Sequence, residues 1–298
     1  MKNLATAVLI ISLAFGLTGN AYAATTVSLG TADSFAVLAG TEITNVPTSV
    51  ITGDTGLSPA AGTNYAGLTT LEVSGTIYAV DATGPDGIAG NNPGLLTTAK
   101  NDLVTAYDNA AGQSATSTFV GADNQLGGQT LTPGVYAFGG ASTANLIGTL
   151  TLDGQGDANA VFIFQASSTL VTASSSTVAL INGTQACNVF WQVTSSATLG
   201  TSSSFVGTIM ALTSIGLNTS ATLQGRALAR NAAVTLDNNT ITKPTCASAD
   251  TDTDTSGTGL PDTGVGATKD SNPWQIALLA GLTAVLVSCY LVRRKKTS

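Results

Sequence analysis

The chain has 298 residues, 17 acidic against 10 basic side chains, a net charge of −7 and no histidine. The missing histidine rules out a histidine-based metal or acid–base site. Arg226 and Arg230 are the only arginines in the body of the chain, so the clustered cations that nucleic-acid binding needs are missing as well.

Lys2, the apolar run from Leu4 to Leu17 and the small-x-small site Ala21-Tyr22-Ala23 read as a secretory signal over residues 1–23, with the mature chain starting near Ala24. An uncleaved N-terminal anchor is the alternative. It is disfavoured because the run is short and a cleavage site follows it.

Residues 24–246 suit one domain or one elongated repeat array. Gly, Ala, Ser and Thr dominate it. One segment breaks the strand pattern described below and reads as a helix over 94–111. Asn92 is placed to cap it, Pro93 occupies the first position, and Leu96, Ala99, Leu103, Ala106 and Ala110 share one face at spacings of three and four.

From Asn188 to Ile241 the chain repeats at about 18 residues. Val206-Gly207-Thr208-Ile209-Met210-Ala211 is echoed by Gln224-Gly225-Arg226-Ala227-Leu228-Ala229, and Phe205, Leu223 and Ile241 share one phase. Ser214-Ile215-Gly216-Leu217 corresponds to Ala233-Val234-Thr235-Leu236 with a slip of one, and Val73 to Ala79 carries the signature of Gly207 to Ala211. The alternation within each repeat has period two, which predicts strands with one inward face. Three short strands per repeat, stacked coil on coil, make a mainly β fold: a β-solenoid (β-helix) with the long helix packed alongside. A β-sandwich is the competing fold, but it leaves the shared phase unexplained.

Two cysteines, Cys187 and Cys246, lie in this exported stretch, where disulfides persist. A bridge would close about 60 residues and contribute roughly 4 kcal/mol by loop entropy; two free buried thiols are the alternative. Residues 247–259, rich in Ser, Thr and Asp with no large apolar side chain, read as a flexible linker. Trp274 to Val292 is nearly all apolar, long enough to span a hydrocarbon core of ~30 Å, and is followed by Arg293, Arg294, Lys295 and Lys296.

Leu260-Pro261-Asp262-Thr263-Gly264, the apolar span 274–292 and the basic tail together make residues 260–298 resemble the sorting signal of cell-wall-anchored bacterial proteins. That resemblance implies a sortase as processing partner, cleavage between Thr263 and Gly264, and attachment to the cell wall. An uncut membrane anchor is the alternative, and both place the domain outside the cell.

Phe35-Ala36-Val37-Leu38-Ala39-Gly40, Ile43-Thr44-Asn45, Gly53-Asp54-Thr55-Gly56, Pro133-Gly134-Val135-Tyr136 and Leu150-Thr151-Leu152-Asp153-Gly154 resemble, in order, the microbial secreted ice-binding proteins. So do Val161-Phe162-Ile163-Phe164-Gln165, Asn188 to Val193 and Gly225 to Ala229. The resemblance runs from about residue 28 to 246. It implies an irregular, triangular β-solenoid with N-terminal coils inserted beside C-terminal ones, and ice as the partner surface. No cofactor, no metal and no catalysis are expected from these residues, and the domain is expected to be a monomer. Asp153 and Asp157, the acids nearest the repeats apart from Asp237, sit in a Gly-rich turn where Asp bonds its own backbone, so they are poor candidates for acid–base work.

With Phe205, Leu223 and Ile241 pointing inward, Ser204, Thr222 and Thr240 point outward, with Ser202, Ser220 and Asn238 two residues earlier and Thr201 and Thr219 at the corner. This hydroxyl ladder is the first candidate ice-binding face. Ser196, Thr198, Ser214 and Thr235 form a second. Serine and threonine that merely cover a solvated sheet are the alternative reading, and adhesion to a polysaccharide the alternative function.

Overall fold

The computed structural model describes residues 24–119, 124–140 and 143–247. The signal segment, most of the linker, the sorting motif and the apolar span expected from the sequence lie outside the described residues. Within these bounds no helix is long and apolar enough to cross a membrane.

The described chain is mainly β with one long helix. Its strands form two sheets, one of 16 strands and one of seven, and the named strand pairs run parallel. The larger sheet is bent. Ser204–Ala211 and Thr222–Ala229 are eight-residue strands paired in register along their whole length. The first half of each contributes to one face and the second half to another. The three separate short strands expected in each repeat are therefore replaced by one long bent strand and one short one. The bend sits at Gly207, at φ 109°, where a Cβ would come within 2.7 Å of Val189. Only glycine permits both the backbone conformation and the approach.

Chain order and spatial order differ. Phe35–Ala39 pairs with Thr222–Ala229 on one side and Asp54–Leu57 on the other. Ile43–Val46 pairs with Val234–Asp237, and Val50–Thr52 with Thr240–Thr242. The N-terminal strands thus extend the ladder begun by the C-terminal ones, which satisfies backbone groups that would otherwise lie on an open edge.

The helix Pro93–Gly112 begins where predicted, with the Asn92 side chain accepting from the Leu95 amide at 3.0 Å. It connects opposite edges of the helix-facing ladder, from Gly90–Asn91 to Ser117–Phe119. Twenty residues span about 30 Å, roughly six strand spacings. Leu96, Ala99, Leu103, Ala106, Tyr107 and Ala110 are buried against Leu38, Ile163, Phe190, Met210 and Leu228. Strands under the helix are accordingly buried on both sides, as in Val189-Phe190-Trp191-Gln192-Val193, where every residue is buried. The Gln165 amide closes the far end of the helix by donating to the carbonyls of Ala110 at 2.8 Å and Gln113 at 2.7 Å.

Inside the strand layers, Tyr136, Phe164 and Trp191 stack in successive strands, with the Phe164 and Trp191 rings 3.9 Å apart. The Trp191 indole N–H donates to the Val206 carbonyl at 2.9 Å, which satisfies its one polar atom.

Candidate functional site

The face opposite the inward file of Phe205, Leu223 and Ile241 carries two rows of short side chains. The register fixes the first: Thr149 beside Thr177, then Ser204, Thr222, Thr240 and Val50, unbroken across six strands. The second row lies two residues along each strand and comes in two blocks. One is Thr130, Thr151 and Ala179; the other is Val206, Gln224, Thr242, Thr52 and Ser74. Neighbours in a row are one strand spacing apart, ~4.8 Å, and the rows are separated by about 6.7 Å. None of these side chains is charged. The inward partners Leu150, Phe205, Leu223, Ile241 and Ile51 are essentially fully buried, which pins the pleat and with it the outward register.

Of the residues singled out in the sequence, Ser204, Thr222 and Thr240 sit together on this face and are exposed. Thr201, Ser202, Thr219, Ser220 and Asn238 lie at the corner before it rather than on its strands. Ser202, Ser220 and Asn238 take φ of 56°, 60° and 50°, one per coil, so the corner repeats as exactly as the strands do. Asn238 donates to the Ser220 hydroxyl at 3.2 Å and Thr219 to the Asp237 carboxylate. These hydroxyl and amide groups stitch coil to coil.

Sequence reasoning missed Thr149, Thr177, Thr52 and Thr242, which extend the array. For Thr149, Thr52 and Thr242 the signal is the triplet with a polar or β-branched residue on each side of an inward one: Thr149-Leu150-Thr151, Val50-Ile51-Thr52 and Thr240-Ile241-Thr242.

The second candidate set divides. Thr198 and Thr235 do lie in one outward row of the seven-stranded sheet, but Gly216 separates them. A Cβ at Gly216 would meet nothing within 4 Å, so the row has a gap. Ser196 and Ser214 precede their strands, and the Ser196 hydroxyl is bonded to Ser214 at 2.9 Å and Thr213 at 2.6 Å.

Among the described residues no group of three or more His, Cys, Asp or Glu is placed to hold a metal ion. Asp153 and Asp157 accept from the amides of Gln155 and Asn159 at 2.9 and 2.8 Å, the local backbone bonding expected of them. Behind the far end of the face, Glu72 is a buried carboxylate. Burial alone would raise its pKa. The amides of Thr69 and Ser49 at 2.8 Å, the Asn45 side chain at 2.9 Å and the Thr69 hydroxyl at 3.0 Å outweigh that and hold it below the usual range. Cys187 and Cys246 are joined as a disulfide, with Cα atoms 5.7 Å apart.

The family model described as "Ice-binding-like" matches residues 37–242. An ice-binding protein of Nostoc sp. (strain HG1) is 46% identical over 222 residues, 74% of this chain and 76% of that one. One of Flavobacterium frigoris (strain PS1) is 42% identical over 73% of this chain and 76% of its own. Among solved structures, an ice-binding protein from the Antarctic ascomycete Antarctomyces psychrotrophicus aligns with a TM-score of 0.64 and 38% identity, covering 74% of this chain and 100% of that one. An ice-binding protein from an Arctic yeast, described for its antifreeze activity, aligns with a TM-score of 0.67 and 33% identity over 75% of this chain and 96% of its own. The chain belongs to the ice-binding-like family.

Proposed function

We propose that this is an extracellular ice-binding protein without catalytic activity, whose contact surface is the face built on Thr149, Thr177, Ser204, Thr222, Thr240 and Val50. The observation that carries this is the unbroken six-strand register of that row, together with its lack of charge. Ice presents a rigid, repeating array of donors and acceptors. A protein surface matches it best when its own groups repeat on a stiff support and need no ordering on contact. Threonine gives such a surface a methyl to exclude liquid water and a hydroxyl to join the lattice, on a residue whose χ1 is already restricted. The same ladders support the reading of the fold as an irregular triangular solenoid, with the bent sheet supplying two sides and the seven-stranded sheet the third.

The test uses the domain alone, since the ascomycete structure is matched along its whole length by 74% of this chain. Thr222→Tyr and Thr149→Tyr, both on exposed ends of paired strands, are expected to leave the circular dichroism spectrum unchanged. Both are expected to abolish partitioning into a growing ice hemisphere and the thermal hysteresis. Undiminished partitioning of either folded variant would show that the face is wrongly assigned, and a parent that binds insoluble polysaccharide but not ice would show that the ligand is.

The export signal, linker and sorting motif support a tethered form. The Leu260–Gly264 motif lies between the polar linker and the apolar span, where an extended stretch can enter a transpeptidase at little ordering cost. The mature protein is expected to end at Thr263, covalently joined to the wall. Many tethered copies would then hold a cell to ice through individually weak contacts. Mass spectrometry of the surface-released C-terminal peptide checks this: an uncut peptide running through Gly264 into the span would leave only a membrane anchor.

A further inference from the structure

Within the array, one position departs from the rest. The two rows are built from Thr, Ser, Ala and Val, except for Gln224, the one long side chain in either. It is exposed, it lies between Val206 and Thr242 in the second row, and its amide has no hydrogen-bond partner among the described residues. Beside it the surface is low. Val206 is only 5% exposed, because the strand turns inward at Gly207 and the Val206 carbonyl is held by the Trp191 indole. An open depression of about 340 Å³ results, bordered by Ser204, Thr222, Thr240, Gln224 and Thr242 and floored by Val206.

We propose that Gln224 sets the strength of this protein's ice binding, as the residue that keeps the centre of the face from lying flat. The inference rests on the assignment of the face made above and adds which position limits it. Two physical effects act in the same direction. The side chain is longer than its threonine neighbours, so in an outward rotamer it would meet a planar solid before Thr222 and Thr242 do. It also has three rotatable bonds and no internal partner, so it loses more rotamer freedom on contact than a β-branched residue does. On one side of Gln224, the next two members of the second row, Thr242 and Thr52, already have the short form. Gln224→Thr would continue them by one strand without touching the core, since the inward neighbour Leu223 is unaltered, and threonine suits an exposed strand position.

The experiment compares the parent, Gln224→Thr, Gln224→Lys and Thr222→Tyr as purified domains of equal melting temperature. The readouts are thermal hysteresis and the concentration giving half-maximal incorporation into a growing ice hemisphere. Gln224→Thr is expected to lower that concentration about tenfold, equivalent to ~1.4 kcal/mol, and to raise hysteresis. Gln224→Lys, longer and charged, is expected to weaken both. If Thr222→Tyr abolishes binding while Gln224→Thr equals or falls below the parent, the face is correctly assigned but Gln224 does not limit it, or contributes its amide to the contact, and the proposal is overturned. If Thr222→Tyr behaves as the parent does, the face itself is wrong and both claims fall together.

Discussion

A carboxylate outside the proposed contact surface holds one end of that surface in place. Glu72 accepts from Asn45 and Ser49, Ser49 donates from its hydroxyl to Asn45 at 2.6 Å, and the Asn239 amide donates to that same hydroxyl at 2.9 Å. Three stretches distant in sequence meet there, and Val50 and Thr240, the last two members of the first row, each follow one of them directly. Asp81 and Asp86 act alike nearby. The Thr83 hydroxyl and the Gly62 amide hold Asp81 below the usual carboxylate range, and the Thr70 amide and hydroxyl do so for Asp86. A carboxyl whose folded pKa lies below its unfolded value of about 4 adds stability above that value, and the contribution disappears as pH falls through the folded pKa. The melting temperature is therefore expected to be level near neutrality and to drop on acidification below about pH 4. Glu72→Gln turns an amide NH2 toward the donors of Thr69 or Ser49. It is expected to cost about 1–3 kcal/mol near pH 7 and to flatten the acid limb. Melting curves from pH 7 to pH 2 decide it; an acid limb identical in parent and variant would remove Glu72 from this role.

At the level of elements, what could be read from the sequence was what is local. The helix was visible because its cap, its first-turn proline and its apolar stripe lie within one stretch, and Asn92 does bond the Leu95 amide. The ladder from Ser204 through Thr222 to Thr240 was visible because those strands are neighbours in both sequence and space. The rest of the row was hidden for two reasons. From Thr222 to Ser204 the step is 18 residues, but Thr177 pairs with Ser204 across the segment that contains the turn Asn182-Gly183 and the short 3-10 helix Ala186–Asn188, so the period breaks. Val50 pairs with Thr240 from the other end of the chain, which no period can disclose. The strand count per repeat was misjudged because period two says which residues point inward but not where a strand bends; the bend is set by Gly207, whose φ of 109° leaves no mark in an alternation pattern. The second candidate set divides for a related reason. Alternation marks Ser196 and Ser214 as polar positions but does not show that their hydroxyls are already bonded to each other.

For the molecule as a whole, the proposed tether raises the question of how the domain would carry load. The chain leaves the described fold at Ala247, and the fold grips it there. Gln185 accepts from the Ala247 amide at 2.6 Å and donates to its carbonyl at 3.1 Å, and one residue earlier Cys246 is joined to Cys187. Cys187 lies in the short 3-10 helix just before Val189–Val193, a strand paired on both sides in the helix-facing sheet. Without the bridge, tension from the linker would fall on Lys243 and peel Thr240–Thr242 from between its two parallel partners, removing Thr240 and Thr242 from the contact face. With it, such tension would pass to a strand in the sheet interior and by-pass the proposed face. The bridge spans a sequence separation of 59, for which loop entropy gives roughly 4 kcal/mol. At about 2–4 °C per kcal/mol for a domain of this size, its removal is expected to lower the melting temperature by about 10 °C. Non-reducing peptide mapping of the exported protein is expected to recover the peptides of Cys187 and Cys246 as one crosslinked species. The double variant Cys187→Ser/Cys246→Ser is expected to keep its ice partitioning when free in solution but to lose it sooner than the parent when held by its C-terminus on a bead in flow, because only then is the last strand under load. Two alkylatable thiols in the exported protein, or equal detachment of parent and variant under flow, would show that the bridge does not protect the face.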